Sequence, residues 1–192
     1  LAFQFLTGFA LAMFYSGSPE TAHASVKHIN DAVPMGAFVR GLHVWGSAII
    51  VIIVVAHTLR VFFWGSYKKP RELTWVVGVM IFQVVLGFSF TGYLLPWDQK
   101  AYWATMVGTR IAATVPFVGD QLLILIRGGL EVGSLTLTRF YALHVMALPA
   151  ALIALMGLHL YLVRKHHIAG PVIPKRGKVV PFYPDQLFKD AV

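Results

Sequence analysis

Three stretches of this chain are long and apolar enough to cross a lipid bilayer, and that limits the fold more than anything else in the sequence. They run from about 36–64, 74–95 and 139–163, and a spanning helix needs about 20 residues. Inside hydrocarbon every backbone N–H and C=O must find its partner within the protein, so such stretches are helices unless they close into a barrel. A fourth apolar stretch, "LAFQFLTGFALAMFY" at about 1–15, is shorter than a full span. The chain opens at Leu1 inside this run with neither a basic n-region nor a small-residue cleavage site. No signal peptide is read there, and the first helix is expected to be truncated at its N-terminus. The expected fold is therefore all-α: an integral membrane four-helix bundle over 1–170. Residues 171–192, rich in Pro and Lys at their start, are expected to connect toward a further helix that this chain does not contain.

The connections carry the charge. Charged residues make up 12% of the 192 residues, against about a quarter in soluble domains. The net charge of +8 would suggest nucleic acid until it is placed on the topology. The connection between the second and third segments and the stretch after the fourth hold ten of the sixteen Lys and Arg residues and three acids. The other two connections hold six basic and five acidic residues. The positive-inside rule puts the basic side in the cytoplasm, stroma or matrix. The excess charge is thus topological, with membrane lipid rather than nucleic acid as the partner. The long connection from about Pro96 to Thr138 contains "QLLILIRGGL", apolar enough to lie on the membrane surface or dock on the bundle. With no cysteine, thiol, disulfide and Fe–S chemistry are excluded from this chain.

An ionisable residue inside a membrane segment points to function unless it makes an interhelical hydrogen bond. Here the spacing favours function. The second segment has His43 and His57, fourteen residues apart; the fourth has His144 and His159, fifteen apart. At about 1.5 Å rise per residue, fourteen residues span roughly 21 Å, too far for one metal. The two segments run in the same direction, so His43 is level with His144 and His57 with His159. Two such cross-helix pairs suit two flat cofactors gripped through both axial faces, and haem iron accepts axial imidazole. Fourteen residues fall some 40° short of four turns and fifteen overshoot by some 60°. The fourth segment should therefore be locally rotated or bent, and Pro149 lies between its histidines. The remaining four histidines, His23, His28, His166 and His167, read as solvated.

A macrocycle needs room and counter-charges. Gly78 and Gly92 are again fourteen apart, and Gly8 lies in the first segment. Glycine permits close approach of a flat ligand to backbone, although small residues also serve ordinary helix packing. Arg40 stands three residues before His43, Arg60 three after His57 and Arg139 five before His144. Each is placed either to pair with haem propionates or to snorkel to the interface.

The stretches "LTGFALAMFY", "RGLHVWGSA", "AHTLRVFFWGSYKKPRELTW", "GYLLPWDQKAYWAT", "GGLEVGSLTLTRFYALH" and "RKHHIAGP" together resemble the cytochrome b family of quinol–cytochrome c and plastoquinol–plastocyanin oxidoreductases. "KKPRELTW", the "LPWDQ" loop and the fifteen-residue histidine spacing point to the cytochrome b6 branch. "VVPFYPDQLFKD" is instead similar to the approach to a fifth helix in longer cytochromes b. The resemblance implies two b haems. One would be held by His43 and His144 near Arg40, Arg139, Gln4 and Gly92; the other by His57 and His159 near Arg60 and Arg164. It implies part of a quinol-oxidation pocket at Tyr93, Pro96, Trp97, Tyr102 and Trp103, whose other wall belongs to a following part of the protein. In the b6 branch an upstream cysteine tethers an extra c-type haem; that position precedes Leu1, which leaves such a haem undecided.

The same resemblance implies the reaction. Quinol releases two electrons and two protons. One electron goes to a Rieske Fe–S partner and the other crosses the membrane through the two haems to a quinone near Arg164 and Lys165. It also implies a c-type cytochrome subunit, a C-terminal cytochrome b part or subunit IV-like chain, and a homodimeric complex. The setting would be an energy-transducing membrane: bacterial inner, thylakoid or mitochondrial inner. Two other readings share some features: a dihaem b anchor of another quinone-linked oxidoreductase, which would lack the "LPWDQ" loop, and a haem-free helical scaffold.

Overall fold

The computed structural model describes residues 1–169, 181, 183 and 184. The connection expected over 171–192 lies, those three residues apart, outside the described residues. The described chain is helical throughout. It forms α1 (Ala2–Ala12), α2 (Ala22–Asp31), α3 (Gly36–Phe63), α4 (Glu72–Leu94), α5 (Gln99–Ala113), α6 (Gly119–Arg127), α7 (Ser134–Ala142) and α8 (Leu148–His166), with a π-helical turn, Leu143–Ala147, joining α7 to α8. Helices α3 and α4 and the continuous stretch Ser134–His166 are long and apolar enough to span a membrane. Helix α1 is apolar but only 11 residues long, about half of a span.

The long helices lack side-chain N-caps. Their length follows from hydropathy: in lipid, leaving the helix exposes backbone groups that have no water to bond. The connecting helices behave as aqueous ones. Asp98 caps α5 by accepting from Ala101 N at 2.8 Å, and Gly128 ends α6 in the left-handed region at φ 81°, where a side chain would be strained.

Helix α4 is the hub. It packs along α8 and also meets α3, α5 and α7, while α1 lies on α3. Helices α3 and α8 are not packed face to face among the described residues. Within the membrane, Val77, Ile81 and Val85 of α4 seal against Leu152 and Leu162 of α8. A second cluster lies at the less basic end, where Ala22, Leu94, Ala101, Leu137 and Phe140 hold α2 and α5 over the bundle. The "QLLILIRGGL" stretch forms most of α6, docked between α5 and α7. Arg127 clamps it there. Its buried guanidinium donates to Thr109 Oγ1 at 2.7 Å, Leu130 O at 2.8 Å and Met106 O at 3.0 Å. Burial and the nearby Arg110 charge push its pKa below the usual arginine range.

Candidate functional site

The four histidines lie on α3 (His43 and His57), in the π turn (His144) and on α8 (His159). His43 and His144 face each other, with ring centroids 6.4 Å apart and planes at 75°. A metal midway between two imidazoles puts their centroids about 6.3 Å apart, given a metal–nitrogen bond of about 2.0 Å and about 1.15 Å from nitrogen to centroid. The pair is thus spaced for one shared ion. Two imidazoles leave an ion's equatorial positions unfilled, and no set of three His, Asp or Glu converges to complete them among the described residues. A flat macrocycle that brings its own equatorial donors fits this donor set.

Each ring is also held from behind. Thr7 Oγ1 lies 2.9 Å from His43 Nδ1, and Thr91 Oγ1 lies 3.1 Å from His144 Nδ1. The glycines prove to serve the rings themselves. A Cβ on Gly8 would stand 3.1 Å from His43 Cε1, one on Gly92 2.6 Å from His144 Cε1, and one on Gly78 3.2 Å from His159 Cε1. Besides any room they leave for a macrocycle, these glycines admit the imidazole edge. Gln4 Nε2 donates to His43 O at 3.0 Å and fits because Gly46, one turn after His43, carries no side chain. Phe88 closes on His144 edge-to-face at 5.4 Å.

The second pair is more open. His159 is half-buried on α8, and His57 on α3 is exposed because α1 covers α3 only near His43. The fifteen-residue spacing is absorbed at the π turn, where Leu148 N bonds back to Leu143 O, five residues earlier. One extra residue is accommodated there, so the α8 stretch presents its histidines as fourteen regular residues would. The bend expected near Pro149 is thus a π turn that begins beside His144.

The arginines differ in placement. Arg40 is half-buried, with Nη1 3.5 Å from Asn30 Oδ1. Arg60 and Arg164 are exposed in the last turns of α3 and α8. Arg139 donates to Leu125 O of α6 and lies beside Gly128. Of the expected quinol-pocket residues, Trp97, Tyr102 and Trp103 form one aromatic cluster, with successive centroids 6.4 and 5.4 Å apart. Tyr93 is exposed at the end of α4, and Pro96 starts the turn in which Trp97 takes φ 51°. Tyr15 OH donates to Leu95 O at 2.7 Å, and burial raises its pKa above the ordinary tyrosine value. His23, read as solvated, is exposed but places Nδ1 3.2 Å from Pro96 O. Thr7, Thr91, Gly46 and Tyr15 were not singled out from sequence. The repeated Thr–Gly dipeptides Thr7–Gly8 and Thr91–Gly92 were the available signal.

These features define a class: a helical bundle with three helices long and apolar enough to cross a membrane and with histidines opposed between two of them. The chain belongs to the cytochrome b family, matching the family described as "Cytochrome b/b6/petB" over residues 1–167. It is 51% identical over 170 residues to the menaquinol:cytochrome c reductase cytochrome b subunit of Bacillus subtilis, covering 88% of this chain and 76% of that one. It is 46% identical over 169 residues to cytochrome b6 of a Synechocystis strain, with the same two coverages, 88% and 76%. Its fold is similar to a solved chain titled "Hyperthermophilic respiratory Complex III", with TM-score 0.89 and 34% identity over 99% of this chain. The chain spans about half of that one, 52%.

Proposed function

We propose that this chain is the membrane-embedded cytochrome b subunit of a quinol:cytochrome c or plastocyanin oxidoreductase, carrying two b haems. His43 and His144 would hold the haem near the less basic face, and His57 and His159 the haem near the basic face. Bound there, a b haem supplies a reversible one-electron centre. The carrying observation is the opposition of His43 and His144, with ring centroids 6.4 Å apart.

The chain's own residues do the rest. Gly8, Gly78 and Gly92 let the ligand rings sit tight against backbone. Arg40 and Arg60, each one turn from a histidine, offer cations to carboxylates at the cofactor rim. Arg139 is engaged with α6 and joins them only by releasing Leu125 O. Trp97, Tyr102 and Trp103, anchored by the α5 cap at Asp98, form one wall of a quinol pocket beside Gly92. They exclude water and orient a flat ring. Arg164 and the neighbouring Lys165, at the far end of α8, offer cations where quinone would be reduced. A Rieske protein, a c-type cytochrome and a C-terminal cytochrome b part or subunit IV-like chain are the partners of a dimeric complex. The side bearing the α3–α4 connection faces the cytoplasm, stroma or matrix. An extra c-type haem stays outside the proposal.

The test is haem quantification with a reduced-minus-oxidised spectrum. Two b haems per chain are expected, and His43→Ala should remove one while sparing the other. A haem-free chain, or loss of neither haem in the variant, overturns the assignment. The "LPWDQ" loop and the match over residues 1–167 favour this reading over another dihaem anchor.

A further inference from the structure

The two histidine pairs have different hydrogen-bond environments, and the difference lies in two threonines. Thr7 and Thr91 are both buried. Thr7 Oγ1 is 2.9 Å from Phe3 O and 3.2 Å from Gln4 O, with Gln4 Oε1 at 3.5 Å. Thr91 Oγ1 is 2.7 Å from Gly87 O and 3.3 Å from Phe88 O. These neighbours are all acceptors, and a hydroxyl has one hydrogen. With that hydrogen on the carbonyl of the preceding turn, each Oγ1 meets the ring as an acceptor. In that arrangement His43 and His144 carry their proton on Nδ1 and keep the Nε2 lone pair free. The other pair lacks this device. His159 has no hydroxyl on Nδ1, only the Thr74 backbone beside it, and Thr74 Oγ1 is itself unpartnered.

We propose that Thr7 and Thr91 are positioning residues that select the Nδ1–H tautomer of His43 and His144. By accepting that proton's hydrogen bond they make the two imidazoles stronger donors to the iron between them. Outer-shell acceptors of this kind raise ligand basicity. A stronger donor favours the ferric state, so the threonines lower the potential of the centre near the less basic face and leave the other untouched. The identical order of Thr then Gly on α1 and α4 performs two jobs at adjacent positions: the hydroxyl holds Nδ1 and the missing Cβ admits Cε1.

The inference rests on the haem reading, and the experiment separates the two. Haem content of the unmodified complex tests the haem reading by itself. Redox titration of the complex, resolving both b centres by absorbance, tests the threonines. Thr7→Val and Thr91→Val keep shape and remove the acceptor. Each is expected to raise the potential of the His43/His144 centre, changing its reduced-to-oxidised ratio at fixed ambient potential by on the order of tenfold, about 59 mV for one electron. The His57/His159 centre should not move, and Thr91→Ser should restore the original value. Unchanged potentials in both valine variants, equal shifts at both centres, or a serine variant that shifts as far as valine would each overturn the proposal. If a valine variant loses the haem, retention at the original potential in the serine variant supports the proposal, and loss in both overturns it.

Discussion

At the residue scale, the site depends on what three glycines lack. Gly92 is the tightest: a methyl there would lie 2.6 Å from His144 Cε1 and 3.2 Å from Nδ1. The ring cannot yield without losing either Thr91 or its opposition to His43. Overpacking a filled site costs about 1–3 kcal/mol. Gly92→Ala is therefore expected to deplete the haem near the less basic face. Gly78→Ala, whose Cβ would lie 3.2 Å from His159 Cε1, should perturb only the other haem, and less severely. Spectra recorded at potentials that reduce one centre and then both distinguish these outcomes; equal loss of both haems in either variant would refute the pairing of each glycine with its ring. The α3 histidines and the α4 glycines were visible in sequence through fourteen-residue spacings, and the other two histidines through a spacing of fifteen. What each glycine touches was not, because intervals along a helix give its depth and face but not which atom of a neighbour reaches it.

At the element scale, the π turn reconciles two helices whose histidines are spaced differently. Regular α-helix would carry His144 about 100° out of register with its α3 counterpart for one surplus residue; the π turn takes up that residue where it begins to matter. Deleting Met146, inside the turn, is expected to convert it to α-helix and retain both haems. Inserting one alanine at the same point should rotate α7 against α8 and lose one of them. Haem-to-chain ratios report both, and a deletion that loses haem as fully as the insertion would refute this role. The need for an adjustment was readable from fifteen against fourteen. Its form was not, because a proline kink and a π turn both relieve the register and only packing against α4 selects between them. Helix α6 is a similar case: its apolar composition allowed either a membrane-surface or a docked position, and the buried Arg127 bonds to α5 favour docking.

At the scale of the whole molecule, the uneven distribution of Lys and Arg orients the bundle. The absence of native cysteine makes the orientation directly measurable. Ser66→Cys, in the α3–α4 connection, is expected to react with a membrane-impermeant thiol reagent only from the cytoplasmic, stromal or matrix face. Thr114→Cys, between α5 and α6, should react only from the opposite face. Labelling of both from one side would invert or break the topology.

The sequence by itself determined that the chain is helical and membrane-spanning, at what depths its imidazoles lie, and which side carries the charge. Those properties follow from hydropathy, helical rise and the cost of unsatisfied backbone in lipid, all of which act locally along the chain. Only the tertiary structure decided that Thr7 and Thr91 hold the rings, that Gly8, Gly78 and Gly92 make room for imidazole, and that Arg139 turns toward α6. Those are relations between side chains on different helices, set by crossing geometry and by competition among nearby acceptors, and no interval within one helix encodes them.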